Sequence, residues 1–188
     1  SELRLEPCDH DLTTVEVITD ALWVSGPLCQ NLSGGVLEVG GFQLAAWSRM
    51  APTMFPSLAE SELSAISVGA GGSQVAQASL AVVGYDIPRV VSTDARRAMG
   101  VLQCRGVGCY KHLNLKLLWL QKAVEDGSIK RIGPDVNPAD VFTKPVASAR
   151  LRVMCERSNM DRGVLKPTDA SGLDAGEVWM LESLERIQ

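Results

Sequence analysis

Val15-Glu16-Val17-Ile18-Thr19 alternates apolar and polar side chains over β-branched residues, the two-residue period of a strand with one covered face, and it ends at Asp20. Ser25-Gly26-Pro27 is a turn signal. A Gly34-Gly35 pair then leads into Val36-Leu37-Glu38-Val39, and a second pair, Gly40-Gly41, separates that run from Phe42-Gln43-Leu44-Ala45-Ala46-Trp47, so two further strands are expected in hairpin succession. From Ser57 to Val83 the period changes. Leu58, Ile66 and Ala70 recur at helical spacing in a stretch rich in Ala, Leu, Ser and Glu, with Ser57 or Ser61 as cap and an interruption expected near Gly71-Gly72.

Beyond the turn at Gly84 to Pro88, Arg89-Val90-Val91-Ser92-Thr93 predicts a fourth strand that delivers Asp94 at its carboxyl end. A short helix from about Ala95 to Leu102 follows. Leu113, Leu117, Leu120 and Val124 lie on one face of a helix spanning Lys111 to Asp126, which Gly127 stops as a C-cap would. Ile129 to Ile132 is a fifth, short strand, and Asn137-Pro138-Ala139-Asp140 opens another helix with Asn137 as cap and Pro138 in its first turn. The pattern weakens past Ala147. Asp161 to Gly176 reads as a linker rich in Asp, Gly, Ser and Pro, and Glu177 to Ile187 as an amphipathic stretch.

This order predicts an α/β domain: an antiparallel meander of three strands, extended by parallel strands through right-handed crossovers into a five-stranded mixed sheet flanked by helices. The expected division is a lead-in over residues 1–14, one domain over 15–155, and a linker and tail over 156–188. In such sheets ligands collect at the carboxyl ends of neighbouring strands, where Asp20 and Asp94 are both placed.

Composition narrows the possibilities. A 46% hydrophobic content with 21% charged residues is enough for a core and far from the polar composition of disordered chains. No apolar run approaches the ~20 residues that cross a bilayer, and Ser1 to Glu6 lacks the basic stretch and apolar segment of a secretory signal, so an intracellular setting without membrane contact is expected. Five cysteines at irregular spacing, with no CxxC pair, argue against a disulfide framework, and Cys8 with His10 lacks the second ligand pair of a zinc site. The net charge of -4 is not that of a typical nucleic-acid binder, but bases concentrate between Arg89 and Lys144 while acids dominate both ends.

Two carboxylates at the ends of adjacent parallel strands repel unless a cation intervenes. Glu62 on the long helix and Asp140 near the start of the last one would complete an all-oxygen donor set suited to Mg²⁺ or Mn²⁺. Paired ions of that kind activate water and stabilise a leaving oxygen in phosphodiester hydrolysis.

These segments resemble a known family. Val15 to Asp20 followed by Trp23, Asn31-Leu32-Ser33-Gly34-Gly35-Val36, and Trp47-Ser48-Arg49 resemble the first three strands of copia-type retrotransposon ribonuclease H domains, with the Ser-Gly-Gly as a turn before the second. Ser57 to Ile66 is similar to the family's catalytic-glutamate segment, which matches Glu62 and not Glu60 by its place before the Leu-x-Ala run. Val91-Ser92-Thr93-Asp94, Lys111-His112-Leu113 through Gln121, and above all Asn137-Pro138-Ala139-Asp140-Val141-Phe142-Thr143-Lys144-Pro145 complete the resemblance, which covers about residues 15–155 with the motifs in order.

The resemblance implies a ribonuclease H-like fold and hydrolysis of the RNA strand of RNA/DNA hybrids during reverse transcription, next to a reverse transcriptase domain of the same polyprotein. It implies two metal ions held by Asp20, Glu62, Asp94 and Asp140, with Asp20 bridging both, Glu62 and Asp94 holding one and Asp140 the other. Ser33, Arg96, Arg97 and Lys111 are the expected nucleic-acid contacts, and no small-molecule cofactor is expected. Leu28-Cys29-Gln30-Asn31 stands where relatives often carry arginines, which removes positive charge from a backbone-contact loop. That departure keeps open an alternative, a catalytically silent nucleic-acid-binding or scaffolding relic of such a polyprotein. His112 is expected to cap or pack, and Trp119 to join the core.

Overall fold

The alternating run at the start of the domain forms β1 (Val15–Leu22), which continues two residues past Asp20. It pairs antiparallel with β2 (Leu32–Val39), and β2 pairs antiparallel with β3 (Phe42–Met50). On its other side β1 pairs in parallel with β4 (Arg89–Thr93), and β4 with β5 (Ile129–Arg131), giving the order β3-β2-β1-β4-β5. The helices are α1 (Leu58–Val82), α2 (Arg96–Gln103), α3 (Asn114–Glu125) and α4 (Ser148–Arg157). This computed structural model describes residues 13–23, 31–51, 54–106, 108 and 110–157, so most of the expected lead-in and tail lies outside the described residues.

The main core fills one face of the sheet. Leu63, Ile66 and Ala70 of α1 meet Val91 of β4, Met99 and Leu102 of α2, Leu117 and Leu120 of α3, and Ile129 of β5. Gly69 lets α1 come close, since a Cβ there would run into Thr19 and Val17 of β1. A second cluster of Val15, Val39 and Ile87 takes Ala76 and Leu80 from the far end of α1.

Those two anchorages explain a departure from expectation: α1 runs unbroken through Gly71-Gly72. Each glycine weakens a helix by ~1 kcal/mol, but packing on both sides of the pair outweighs that weakness. Ser57 caps the helix, its Oγ accepting from the Glu60 amide at 3.3 Å.

Other segments also differ. Gly34 and Gly35 lie inside β2, not in a turn before it. They are needed there because Thr143 and Phe142 press on Gly34 and the Trp47 ring lies against Gly35. Asn137 does cap a helical segment, accepting from the Ala139 amide at 3.0 Å, but Pro138–Phe142 is a short 3-10 turn and no α-helix. Pro145 accounts for this by disfavouring helical backbone at Lys144. The Lys111 end of the expected third helix is likewise a separate 3-10 turn, Lys111–Leu113. The sequence reading missed α4, whose apolar face reduces to Leu151 and the buried Met154 among charged residues. Trp119 is 37% exposed, outside the core, beside the exposed Leu115 and Leu118, because the inward face of α3 is filled by Leu117 and Leu120. Among the described residues no helix is long and apolar enough to cross a membrane.

Candidate active site

Parallel register places the first two carboxylates side by side. Thr19 of β1 is opposite Thr93 of β4, so Asp20 and Asp94, the next residue along each chain, lie next to one another. Thr19 faces α1, and Asp20 therefore projects from the opposite face. There Pro138–Phe142 lies across β1 and β2 and brings in Asp140. One ligand oxygen each from Asp20, Asp94 and Asp140 falls within 4.8 Å of the others.

Glu62, in the second turn of α1, is not within that 4.8 Å set. It lies beside it, close enough that the charges of Asp94 and Asp20 act on its carboxyl, and its Oε2 is buried without a hydrogen-bond partner. Glu60 is occupied elsewhere: its Oε2 is 2.8 Å from His112 Nε2, and its Oε1 accepts from Ser57 Oγ at 3.4 Å. His112 therefore ties α1 to the Lys111–Leu113 turn, away from the three aspartates.

Several protein groups hold the carboxylates in place. Asn137, fully buried, donates from Nδ2 to Asp94 Oδ1 at 2.9 Å and to the Thr19 carbonyl at 3.3 Å. The Thr143 hydroxyl donates to Asp20 Oδ2. Lys144 Nζ spans two acids, 2.9 Å from Asp140 Oδ1 and 3.4 Å from Asp20 Oδ2. Arg150, from α4, takes Asp140 Oδ2 at 2.5 Å and the Pro134 carbonyl at 2.6 Å.

Sequence reasoning placed Asn137 only as a cap and did not include Thr143, Lys144 or Arg150 in the site. The four-residue step from Asp140 to Lys144 was a usable signal. Arg150 comes from the helix that the pattern did not show.

Burial is the largest influence on Asp20 and raises its pKa; the Thr143 hydrogen bond and the Lys144 charge oppose this, while Asp140 and Asp94 add to it. Glu62 is raised in the same way, by burial first and then by Asp94 and Asp20, against the Ala98 amide and Arg97. Burial works against the Lys144 ammonium, yet the hydrogen bond to Asp140 and the charges of Asp20, Asp140 and Asp94 together raise its pKa.

The donor set suits a hard divalent cation. It offers carboxylate oxygens and no soft ligand, it includes a buried unpartnered oxygen on Glu62, and it holds two acids partly desolvated, a penalty that a bound cation relieves.

The expected nucleic-acid contacts are spread unevenly. Arg96 and Arg97 are exposed at the start of α2, with Arg97 near enough for its charge to reach Glu62. Ser33 neighbours Gly34, the partner of Asp20, and its Oγ is buried without a partner. Lys111 lies beside His112 in the Lys111–Leu113 turn. Of the tryptophans, Trp23 donates to the Phe55 carbonyl at 2.9 Å, Trp47 covers Gly35, and Trp179 lies outside the described residues.

A meander of three antiparallel strands and two parallel additions beyond β1 are what the sequence led us to expect, and α1 packs on β1 and β4. This is the five-stranded mixed sheet flanked by helices that was expected. Similar solved structures include RNase H1 from the halophilic archaeon Halobacterium salinarum NRC-1, with 15% identity over 67% of this chain and 90% of that one and a TM-score of 0.43. The N-terminal RNase H domain of a Mycobacterium tuberculosis protein, solved fused to maltose binding protein, has 15% identity over 77% and 97% with a TM-score of 0.46. An RNase H1 isolated from compost has 19% identity over 69% and 92% with a TM-score of 0.47. No family model matches the chain, and no curated protein matches it.

Proposed function

We propose that this chain is a metal-dependent endonuclease that hydrolyses the RNA strand of RNA/DNA hybrids, working in reverse transcription of a copia-type element beside a reverse transcriptase domain. The observation that carries the reading is the convergence of Asp20, Asp94 and Asp140 oxygens within 4.8 Å, with Glu62 alongside, at the carboxyl end of two parallel strands. Asp20, Glu62, Asp94 and Asp140 are the residues that would hold Mg²⁺ or Mn²⁺, which when bound would supply Lewis-acid stabilisation of the phosphoryl oxygens and a more acidic water.

The chain's own groups do the positioning. Asn137 holds Asp94 through Oδ1 and Thr143 holds Asp20 through Oδ2, and one oxygen of each aspartate lies within 4.8 Å of one from Asp140. Arg96 and Arg97, exposed at the start of α2, give the phosphate backbone positive partners, whereas the Ser33 hydroxyl, expected as a contact, is buried and not presented to a ligand.

The test is cleavage of a labelled RNA/DNA hybrid beside double-stranded RNA and DNA, with Mg²⁺, Mn²⁺ or chelator. Loss of the RNA strand alone, dependent on metal and abolished in Asp94→Asn, is the expected result; full activity in Asp94→Asn overturns the assignment. One observation favours a silent nucleic-acid-binding relic instead: both oxygens of Asp140 are already engaged by Lys144 and Arg150. Hybrid binding without cleavage under either metal, in folded protein, is the outcome that reading requires.

A further inference from the structure

We propose that Lys144 is a built-in counter-cation that stands where a second divalent ion would otherwise sit, so that the chain loads one ion, through Asp20, Glu62 and Asp94. This rests on the metal-dependent reading above and departs from the two-ion expectation drawn from the family resemblance.

Three observations lead to it. Each oxygen of Asp140 faces a cation: Oδ1 is ion-paired with Lys144 Nζ at 2.9 Å though without hydrogen-bond geometry, Oδ2 is 2.5 Å from Arg150, and the side chain is 3% exposed. Lys144 also bridges to Asp20 Oδ2 at 3.4 Å, so the ammonium lies between the pair of acids that the second ion would need. Arg150 is itself fixed by the Pro134 carbonyl at 2.6 Å, which holds Asp140 in the orientation that Lys144 uses. On the opposite side, Asp94 is bonded through Oδ1 to Asn137, and Glu62 Oε2 has no partner.

Charge leads to the same conclusion. Asp20, Glu62, Asp94 and Asp140 bring four negative charges, and Lys144 and Arg150 return two positive ones, leaving a deficit that one divalent ion cancels. A second ion would have to displace Lys144 from two carboxylates or share a small volume with it. The side chain is 41% exposed and has an open route to solvent, so removing its charge opens the position without emptying a core.

The experiment is calorimetric titration of the full 188-residue chain with MgCl₂ at neutral pH, with bound Mn²⁺ counted by electron paramagnetic resonance. Wild type is expected to take up one ion. Lys144→Gln is expected to take up two, with the second bound about tenfold or more tighter than any second event in wild type, because a unit charge a few ångströms from a divalent ion is removed. Lys144→Arg, which keeps the charge, retains one ion.

A second readout is thermal melting. In chelator Lys144→Gln melts below wild type, since the acids lose their internal cation, and added Mg²⁺ raises its Tm by more than it raises that of wild type. Two ions of similar affinity in wild type, or unchanged stoichiometry and affinity in Lys144→Gln, overturns the proposal and leaves the metal-dependent reading standing. No uptake by either folded protein overturns both.

Discussion

Gly34→Ala tests whether the close fit between β2 and the Pro138–Phe142 turn is what sets the carboxylate cluster. Gly34 is the antiparallel partner of Asp20, so the site rests on the same rung of the ladder. A Cβ at this position would stand 2.6 Å from Thr143 Cγ2, 3.0 Å from Phe142 Cβ and 3.1 Å from the Ala139 carbonyl oxygen. Unstrained contact between carbon atoms needs ~3.5 Å or more, so Thr143 must retreat by about 1 Å. Rotating one side chain does not relieve this, because the Ala139 oxygen belongs to the backbone; the turn has to lift as a unit. It carries Asp140, and with it the Thr143 hydroxyl that holds Asp20.

Overpacking of this kind costs ~1–3 kcal/mol of stability, and a misplacement of ~1 Å at a reacting centre lowers turnover by about a hundredfold. Urea denaturation and hybrid cleavage would be measured on the same preparation. Gly71→Ala is the control: a Cβ there meets nothing within 4 Å, so it should gain up to ~1 kcal/mol from helix propensity with cleavage unchanged. Wild-type stability and cleavage in Gly34→Ala would refute the argument, and lost stability with full cleavage would refute its link to the site.

Two further outcomes follow from the same geometry. Asn137→Ala removes the donor to Asp94 and to the Thr19 carbonyl together with the cap on Ala139, and a loss of about 2–3 kcal/mol is expected in urea denaturation; a loss below ~0.5 kcal/mol would show that these bonds do not hold the turn. The folded-state pKa values of Asp20 and Glu62 are raised above 3.8 and 4.5, so in chelator their share of stability is present below those values and is lost as pH rises through the raised ones. Asp20→Asn should therefore gain on wild type as pH rises from about 4 to neutrality, followed by thermal melting at each pH; a constant difference between the two would disprove the assignment of burial as the dominant cause.

Much of the architecture was legible because the signals were local. Alternation over Val15 to Thr19, the run before Asp94 and the spacing of Leu117 and Leu120 each report which residues face inward, and strand order then follows from connection rules. Asp20, Asp94 and Asp140 were candidates because each follows a strand run or opens a helical segment that the chain itself marks, whereas Glu62 was chosen over Glu60 by the family resemblance.

What the sequence could not disclose depended on contacts between distant segments. Gly71-Gly72 looks like a helix break until the sheet pins α1 on both sides, and Gly34-Gly35 looks like a turn until Thr143 and Trp47 occupy the space that side chains would have filled. The engagement of Asp140 by Lys144 and Arg150 is of the same kind. The sequence by itself determined the strand order and the first three helices and supplied four candidate carboxylates; only the tertiary structure decided which of their oxygens meet a cation, because that depends on where α4 and the Pro138–Phe142 turn pack, and no local pattern encodes it.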